Sequence, residues 1–255
     1  MVPSPAAIAD SEMARLARVL EDLGGAGVAV DTGWAACDVP GSWARFATGL
    51  GRGGPVDPAT LDTAEAFFAE REEPTRIRFT PYTHPSLVEL LAARGYVLDH
   101  LDTILVHDLR ELPSLDPTLT IRAVDGQADR RAWVSAQLRG FFGDDHPAGM
   151  VPITERVSRY ARARLSLLID EDEVVGSGGL ELWEGAGVLF AGCVRAEARR
   201  RGHHQSFLRH RLHQAKALGC THALIGSTPG GPTERNALRM GFRVAYTQLQ
   251  AKLSE

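Results

Sequence analysis

The chain has 255 residues, 44% of them hydrophobic and 24% charged, so it can bury a substantial core in one large domain or two small ones. Its formal charge of -4 provides no global field for attracting DNA or an anionic membrane, and we expect neither as a partner. Three cysteines, odd in number and far apart, argue against a disulfide scaffold or a zinc ribbon and predict a reducing, cytoplasmic environment.

The first half of the chain predicts a mixture of helices and strands. Charged residues interrupt positions 1–20, so we expect no signal peptide there, and no later stretch has the uncharged length of a membrane span. Apolar spacing predicts a helix over residues 12–23 and a strand over 28–30, followed by a segment rich in glycine and proline. The other elements predicted in this half are a helix at 59–71, a strand at 76–79, a helix at 85–94 and a strand at 103–107.

A turn with two prolines, over residues 111–117, separates the two halves. We therefore predict a boundary there, with one domain at 1–115 and another at 116–255. Both halves end in the same way, because a short helix is followed by a glycine–aromatic pair, Gly95-Tyr96 or Gly241-Phe242, and then by a strand. This repeat predicts a degenerate internal duplication.

The second half predicts an antiparallel meander flanked by helices. A strand at 119–122 precedes two helices, at 132–142 and 153–163, which are joined by an acidic loop. Three strands follow, at 165–169, 174–183 and 188–194, separated by short turns. The last predicted elements are a long helix at 202–218, a strand at 223–227, a short helix at 233–239 and a strand at 242–253.

A basic turn opens directly into the long helix and carries the clearest functional signal. The strand that ends at Val194 leads through three consecutive arginines, 199–201, to Gly202, where the helix begins. The first N–H groups of a helix lack partners within it, and the helix dipole adds roughly half a positive charge there. Because glycine allows close approach, this turn predicts a pyrophosphate site; a solvated basic turn is the alternative.

The ordered pattern of this half resembles the GCN5-related N-acetyltransferase (GNAT) family. The acyl-CoA loop of that family reads Arg/Gln-x-x-Gly-x-Gly/Ala after a strand that ends in valine, and residues 199–204 here read Arg-Arg-Arg-Gly-His-His. The last position, small in the family, is His204. A second family element, an asparagine in a short helix before Gly-Phe, is matched by Asn236 and Gly241-Phe242. The resemblance covers residues 119–253.

The resemblance implies an α/β (α+β) fold in which helices flank a mixed, mostly antiparallel twisted sheet. Residues 90–108 resemble the family weakly, which implies two tandem domains with a degenerate N-terminal one; an unrelated N-terminal cap is the alternative. The family activity is acetyl transfer from acetyl-CoA to an amine by direct attack in a ternary complex. The residues expected to hold acetyl-CoA are Cys193, Val194, Arg199, Arg200, Arg201, Gly202, His203, His204, Gln205, Ser206 and Asn236.

Such a transfer needs a base for the amine and an acid for the leaving sulfur. Glu181, which alternates with Leu180 and Leu182 in the middle strand, is our candidate base; a glutamate on a solvated strand face fits the same pattern. The family often uses a tyrosine of the short helix as the acid, and that place is Ala237 here. The expected acid is then Tyr246 or solvent, and a half-buried packing residue is the alternative for Tyr246.

The resemblance also suggests where the acceptor binds, and we expect a small-molecule amine or a peptide. Asp144, Asp145 and His146 lie in the loop that borders the acceptor pocket in the family, so they are candidates for binding a cationic substrate; an exposed polar loop is the alternative. The histidines of the long helix lack a recognisable ligand spacing, and we expect no metal. A covalent route through Cys193 needs a neighbouring base, and the sequence offers none.

Two function classes remain open at the level of the sequence. The first is an acetyl-CoA-dependent N-acetyltransferase, monomeric or homodimeric. The second is a non-catalytic acyl-CoA-binding sensor or scaffold protein, which His204 and the replacement of the family tyrosine by Ala237 leave open.

Overall fold

A computed structural model describes residues 2–115 and 119–254. They form two compact units. The C-terminal unit contains Ile104–Val244, and the N-terminal unit contains Pro3–Thr103 together with the chain from Ala245 onward. Asp116 and Pro117, which belong to the predicted boundary turn, lie outside the described residues.

The N-terminal unit packs helices against a mixed sheet. Its elements are α1 (Pro5–Leu23), β1 (Ala26–Val30), β2 (Gly33–Cys37), β3 (Arg45–Thr48), α2 (Pro58–Ala69), β4 (Arg76–Phe79), α3 (Pro85–Ala93), the first part of β5 (Tyr96–His107) and most of β11 (Arg243–Leu253). The strand order is β1-β2-β3-β4-β11-β5, and β4 pairs antiparallel with β11. Leu61, Phe68 and Ile77 lie in its fully buried core.

Helix α1 begins earlier than the predicted residue 12. Ser4 caps it by accepting a hydrogen bond from the Ala7 N–H at 3.3 Å, and Pro5 occupies the first turn, where its missing N–H costs nothing. Strands β2 and β3 were not predicted. The alanine and glycine content of β2 gives a weak strand signal, and β3 has only four residues. β2 is held in place by pairing with β1 on one side and β3 on the other.

The C-terminal unit contains the predicted meander. Its elements are the end of β5, β6 (Thr120–Ala123), α4 (Gly126–Phe142), α5 (Met150–Val157), β7 (Ala163–Asp170), β8 (Glu173–Trp183), β9 (Ala186–Val194), a 3-10 turn (Ala196–Ala198), α6 (His203–Ala217), β10 (His222–Ser227) and α7 (Pro232–Arg239). The strand order is β5-β10-β9-β8-β7-β6, with antiparallel pairing from β6 to β9 and parallel pairing between β9 and β10. The predicted mixed, mostly antiparallel architecture with flanking helices is confirmed.

The boundaries of the two units differ from the single boundary predicted between residues 115 and 116. The N-terminal unit ends at Thr103, within β5, and it regains the chain at Ala245, within β11. The physical reason is strand pairing, since Leu249 and Ala251 of β11 pair with Phe79 and Ile77 of β4. The last strand of the chain therefore completes the sheet of the N-terminal unit.

Candidate functional site

A bulge interrupts β9 near its C-terminal end. The register between β8 and β9 shifts so that Ala191 and Gly192 lie opposite the single residue Gly178. Ala191 has a φ of 52°, a left-handed conformation that costs a non-glycine residue roughly 1 kcal/mol. The bulge is therefore a strained point that the surrounding packing maintains.

Beyond the bulge, β9 continues where its pairing with β10 has ended. Parallel pairing runs from Ala186 and His222 to Leu189 and Ile225, and β9 then extends to Val194. The last residues of β9 thus have no partner strand, among the described residues, on the edge that faces β10 earlier in the strand, so their backbone groups on that edge are available. Such an edge can pair with an extended ligand.

A cavity of about 780 Å³ lies between the end of β9, the loop after it and the starts of α6 and α7. The sequence-predicted residues that line it are Cys193, Val194, Arg199, Arg200, Gly202, His203, His204, Gln205 and Asn236. Arg201 and Ser206 do not line it: Arg201 is exposed and forms an ion pair with Asp170 at 3.0 Å, and Ser206 is buried within α6. The structure therefore brings most of the predicted residues together around one cavity.

Helix α6 presents its N-terminus to this cavity. Gly202 is the N-cap residue with a φ of 83°, and no side chain caps the helix. The Gly202 carbonyl accepts hydrogen bonds from the N–H groups of Gln205 and Ser206 at 3.0 and 3.1 Å, so the first turn is formed. An uncapped, positively polarised helix start is suited to phosphate oxygens.

The first two arginines of the loop differ in their environment. Arg199 donates to the carbonyls of Val194 at 3.1 Å and Gly140 at 2.8 Å, so its guanidinium ties the loop to β9 and α4. Arg200 is exposed, lines the cavity and makes no hydrogen bond or ion pair with the described residues. We therefore expect Arg199 to shape the loop and Arg200 to attract an anion.

Solved structures resemble this one at low sequence identity. A GCN5-related N-acetyltransferase from Kribbella flavida matches 100% of this chain and 97% of its own, with 17% identity and a TM-score of 0.72. An acetyltransferase of the GNAT family from Novosphingobium aromaticivorans matches 98% of this chain and 99% of its own, with 13% identity and a TM-score of 0.61. A tandem GNAT protein from the clavulanic acid biosynthesis pathway matches 88% of this chain and 74% of its own, with 14% identity and a TM-score of 0.58.

The chain has the GNAT fold. No protein-family model matches the sequence, and no curated protein is similar to it in sequence. The likeness therefore concerns the fold, and the function of this chain depends on its own side chains.

His204, at the position that is small in the family pattern, turns toward α7. Its Nδ1 lies 3.1 Å from the amide nitrogen of Asn236, whose amide oxygen accepts from Gln205 Nε2 at 3.2 Å. Burial, reinforced by the charge of Arg211, lowers the pKa of His204 to about 4, so the imidazole is neutral at pH 7. Asn236 therefore holds the imidazole in an ordered position at the wall of the cavity.

Acidification is expected to destabilise the protein through His204. Between about pH 6.5 and pH 4 the unfolded chain binds a proton on this histidine that the folded chain does not, so the free energy of unfolding falls as the pH drops. We expect wild type to lose about 2–3 kcal/mol more than His204→Asn between about pH 7.5 and pH 4.5, measured by urea unfolding. An identical pH dependence in both proteins would contradict this assignment.

The bulge is held from the other side by α4. Gln137, which is buried, donates from Nε2 to the carbonyl of Ala191 at 2.6 Å and to Ser177 Oγ at 2.8 Å. Trp133 donates from Nε1 to the carbonyl of Gly178 at 3.0 Å. These bonds fix the peptide of Ala191 and Gly192. Because the C=O and N–H of a trans peptide point in opposite directions, the Gly192 N–H faces away from Gln137.

Cys193 lies beside this network and is protected. Its Sγ donates to the Ala136 carbonyl at 3.4 Å, and a Cβ added to Gly140 would lie only 2.5 Å from that sulfur, so α4 packs directly on it. Burial raises the pKa of the Cys193 thiol, which disfavours the thiolate that a nucleophile needs.

Glu181 is buried rather than solvated, with only 2% of its surface exposed. Its Oε1 accepts a hydrogen bond from the Tyr160 hydroxyl at 3.0 Å. Glu181 pairs with Val188 of β9, while Gly179 pairs with Phe190 next to the bulge. Glu181 therefore lies on the strand next to the bulged one, three residues after Gly178 along β8, and it does not line the cavity.

Tyr246 lies in the N-terminal unit, whereas the loop at 199–206 lies in the C-terminal unit. Its ring packs edge-on against Tyr82, and its buried hydroxyl has no hydrogen-bond partner among the described residues. Burial raises the pKa of this phenol, with Glu12 adding to the effect. These surroundings are those of a packing residue.

The acidic loop after α4 borders a different cavity, of about 840 Å³, along α4 and α5. Asp144 and His146 line it, Asp145 does not, and Asp144 is paired with Arg139 at 3.1 Å. The arginines that also line it are Arg130, Arg131, Arg139 and Arg159. Because arginines outnumber carboxylates there, this cavity suits an anion better than a cation.

Sequence reasoning missed Gln137, Trp133, Tyr160 and Arg211. Gln137 and Trp133 act through backbone carbonyls of the bulge, and a bulge has no dependable sequence signature. Arg211 did carry a signal, because it follows Leu208 by three residues and precedes Ala215 by four on the apolar stripe of α6. A charged residue on a buried stripe calls for an explanation.

Proposed function

We propose that this protein binds acetyl-CoA at residues 199–206 and transfers the acetyl group to a primary amine of a small molecule or peptide by direct attack in a ternary complex. The observation that carries the proposal is the shared cavity. It joins an uncapped helix N-terminus, the unpaired Arg200 and the end of β9, which has lost its pairing with β10. These three features match the pyrophosphate and the extended arm of CoA.

Each part of the cavity has a role in this proposal. The amides at the start of α6 and the Arg200 side chain bind the pyrophosphate, with Gly202 leaving room for it. Cys193 and Val194 pair through their backbone with the pantetheine arm. Asn236 and Gln205 offer amide groups on the opposite wall.

In the transfer, the acceptor ammonium first loses a proton. The neutral nitrogen attacks the thioester carbon, the electron pair of the C=O bond moves to oxygen, and its return expels the CoA thiolate. The nitrogen loses a second proton, and the sulfur gains one, so the products are an amide, CoA thiol and one proton. The Gly192 N–H, fixed by Gln137 on the neighbouring carbonyl, is our candidate donor to the oxygen.

We assign the base to Glu181, acting on the ammonium directly or through water. For the acid we favour solvent over Tyr246, since a buried phenol of raised pKa is a poor proton donor. A monomer or homodimer in the cytoplasm, with no metal, remains our prediction. Within residues 2–115 and 119–254, no group of three or more His, Cys, Asp or Glu side chains is arranged to hold a metal ion. In the same described part, no helix has the length and apolar character to cross a membrane.

A second candidate is a non-catalytic acyl-CoA-binding protein. Ala237, at the place of the family tyrosine, is fully buried in the core around α6 and α7, so no hydroxyl reaches the cavity from that position. This observation favours a protein that holds acyl-CoA without turning it over.

Calorimetric titration of the full chain with acetyl-CoA, CoA and dephospho-CoA tests the binding step. We expect binding of acetyl-CoA and CoA in the micromolar range, about -8 kcal/mol, and weaker binding of dephospho-CoA because basic residues at the loop attract the ribose phosphate. Absence of binding would overturn both candidates. Release of free thiol with a panel of primary amines then separates them, since only the enzyme produces it.

A further inference from the structure

Arg211 is a buried cation beneath the bulge of β9. Only 1% of its surface is exposed. Its Nη1 donates to the carbonyls of Phe190 at 3.2 Å and Gly179 at 3.4 Å, and its guanidinium carbon lies 4.5 Å from the centre of the Phe207 ring. Its Nε and Nη2 have no hydrogen-bond partner among the described residues. The charge is thus only partly compensated.

The guanidinium lies next to Gly192, one of the residues that line the proposed CoA cavity. A Cβ added to Gly192, which lines the cavity, would lie 2.5 Å from Nη2 of Arg211. The charge is also felt inside the cavity, because it contributes to the lowered pKa of His204. Gly192 therefore lies between the guanidinium and the cavity in which our mechanism puts the thioester.

No carboxylate neutralises this charge. Among the described residues no ion pair joins Arg211 to an Asp or Glu, and burial lowers the pKa of its guanidinium to about 10, which leaves it protonated at pH 7. Removing a cation from water without a partner opposes folding, and an apolar side chain of similar size avoids that cost. A residue that weakens the fold in this way is a candidate for a role in function.

We propose that Arg211 supplies a fixed positive charge behind the β9 bulge, which stabilises the negative charge that develops on the thioester oxygen during acyl transfer. The inference rests on the proposed function. Arg211 acts across Gly192 without contacting the substrate and stays protonated throughout; the electron pair moves to the oxygen and returns when the C–S bond breaks. In a low-dielectric site such a charge acts over several ångströms, and it needs no reorganisation.

The test compares Arg211→Gln, which keeps a polar side chain but removes the charge, with Arg211→Lys, which keeps the charge. Arg211→Met is a second neutral variant in case the glutamine variant does not fold. Arg209→Gln is the matched control, since Arg209 lies on the same helix and does not line the cavity. The first readout is the infrared carbonyl band of bound acetyl-CoA labelled with carbon-13 in the thioester, which needs no acceptor.

We expect the carbonyl band to lie at lower frequency in wild type, Arg211→Lys and Arg209→Gln than in free acetyl-CoA, and to return toward the free value in the neutral variants. With an active amine, kcat should fall roughly 10–100-fold in the neutral variants while Kd for acetyl-CoA changes little. The urea midpoint should rise or stay the same in Arg211→Met, whereas a purely structural arginine would lower it.

The outcomes separate the two proposals. If wild type binds no acetyl-CoA, the proposed function is wrong and this inference with it. If wild type binds acetyl-CoA but the carbonyl band is the same in wild type and the neutral variants, only the role of Arg211 is wrong. A lowered kcat accompanied by an equal loss of folded protein would likewise overturn it.

Discussion

Replacing Gly202 with phenylalanine is expected to weaken CoA binding at least about 100-fold, a loss of roughly 2.7 kcal/mol. Gly202 caps α6 at the wall of the cavity with a φ of 83°. A Cβ at this position meets no atom within 4 Å, so the new side chain fits the folded protein and projects into open space. That space is where the pyrophosphate must approach the helix amides, and the ring would exclude it.

The control is Gly219→Phe at the other end of the same helix. Gly219 has a φ of 81° and equally open surroundings, so both variants carry the left-handed strain of about 1–2 kcal/mol. Calorimetric titration and urea unfolding of both proteins separate lost binding from lost stability. Equal CoA affinity in Gly202→Phe and wild type would place the cofactor elsewhere.

The sequence predicts the C-terminal unit better than the N-terminal one. The strands and helices from β6 to α7 have strong periodicity and turn residues. The loop at 199–206 is local in the chain, and all of its residues except Arg201 and Ser206 line one cavity. Strands β2 and β3 escaped prediction because their stability comes from neighbouring strands rather than from their own residue types.

The parts that sequence reasoning missed are non-local. Pairing of β11 with β4 joins residues more than 160 positions apart, and no local pattern encodes that choice. Glu181 is the candidate base, and its burial and its hydrogen bond to Tyr160 are non-local. Tyr160 lies between α5 and β7, and the fold brings this segment against β8. Tyr246 is the candidate acid because it lies in the strand after the short helix, and the unit to which that part of β11 belongs is set by its pairing with β4, which no local pattern encodes.

Glu181→Gln is expected to lower kcat about 100-fold or more while leaving the Kd for acetyl-CoA unchanged. The amide occupies the space of the carboxylate and can still accept the bond from Tyr160, so we expect less than about 1 kcal/mol of lost stability. The amide cannot take a proton from the acceptor ammonium. The measurement is steady-state thiol release with the best amine from the acceptor panel, together with calorimetric titration of acetyl-CoA.

The matched control is Glu173→Gln at the start of the same strand. Glu173 is exposed, and its distance of 3.9 Å from Arg195 indicates at most a weak surface pair, so the same substitution should leave kcat within about twofold of wild type. Tyr160→Phe adds a graded case: it keeps the Glu181 carboxylate and removes the bond that orients it, so kcat should fall less than in Glu181→Gln. If Glu181→Gln retains full activity, the carboxylate is a structural partner of Tyr160, and the proton must leave the amine through solvent.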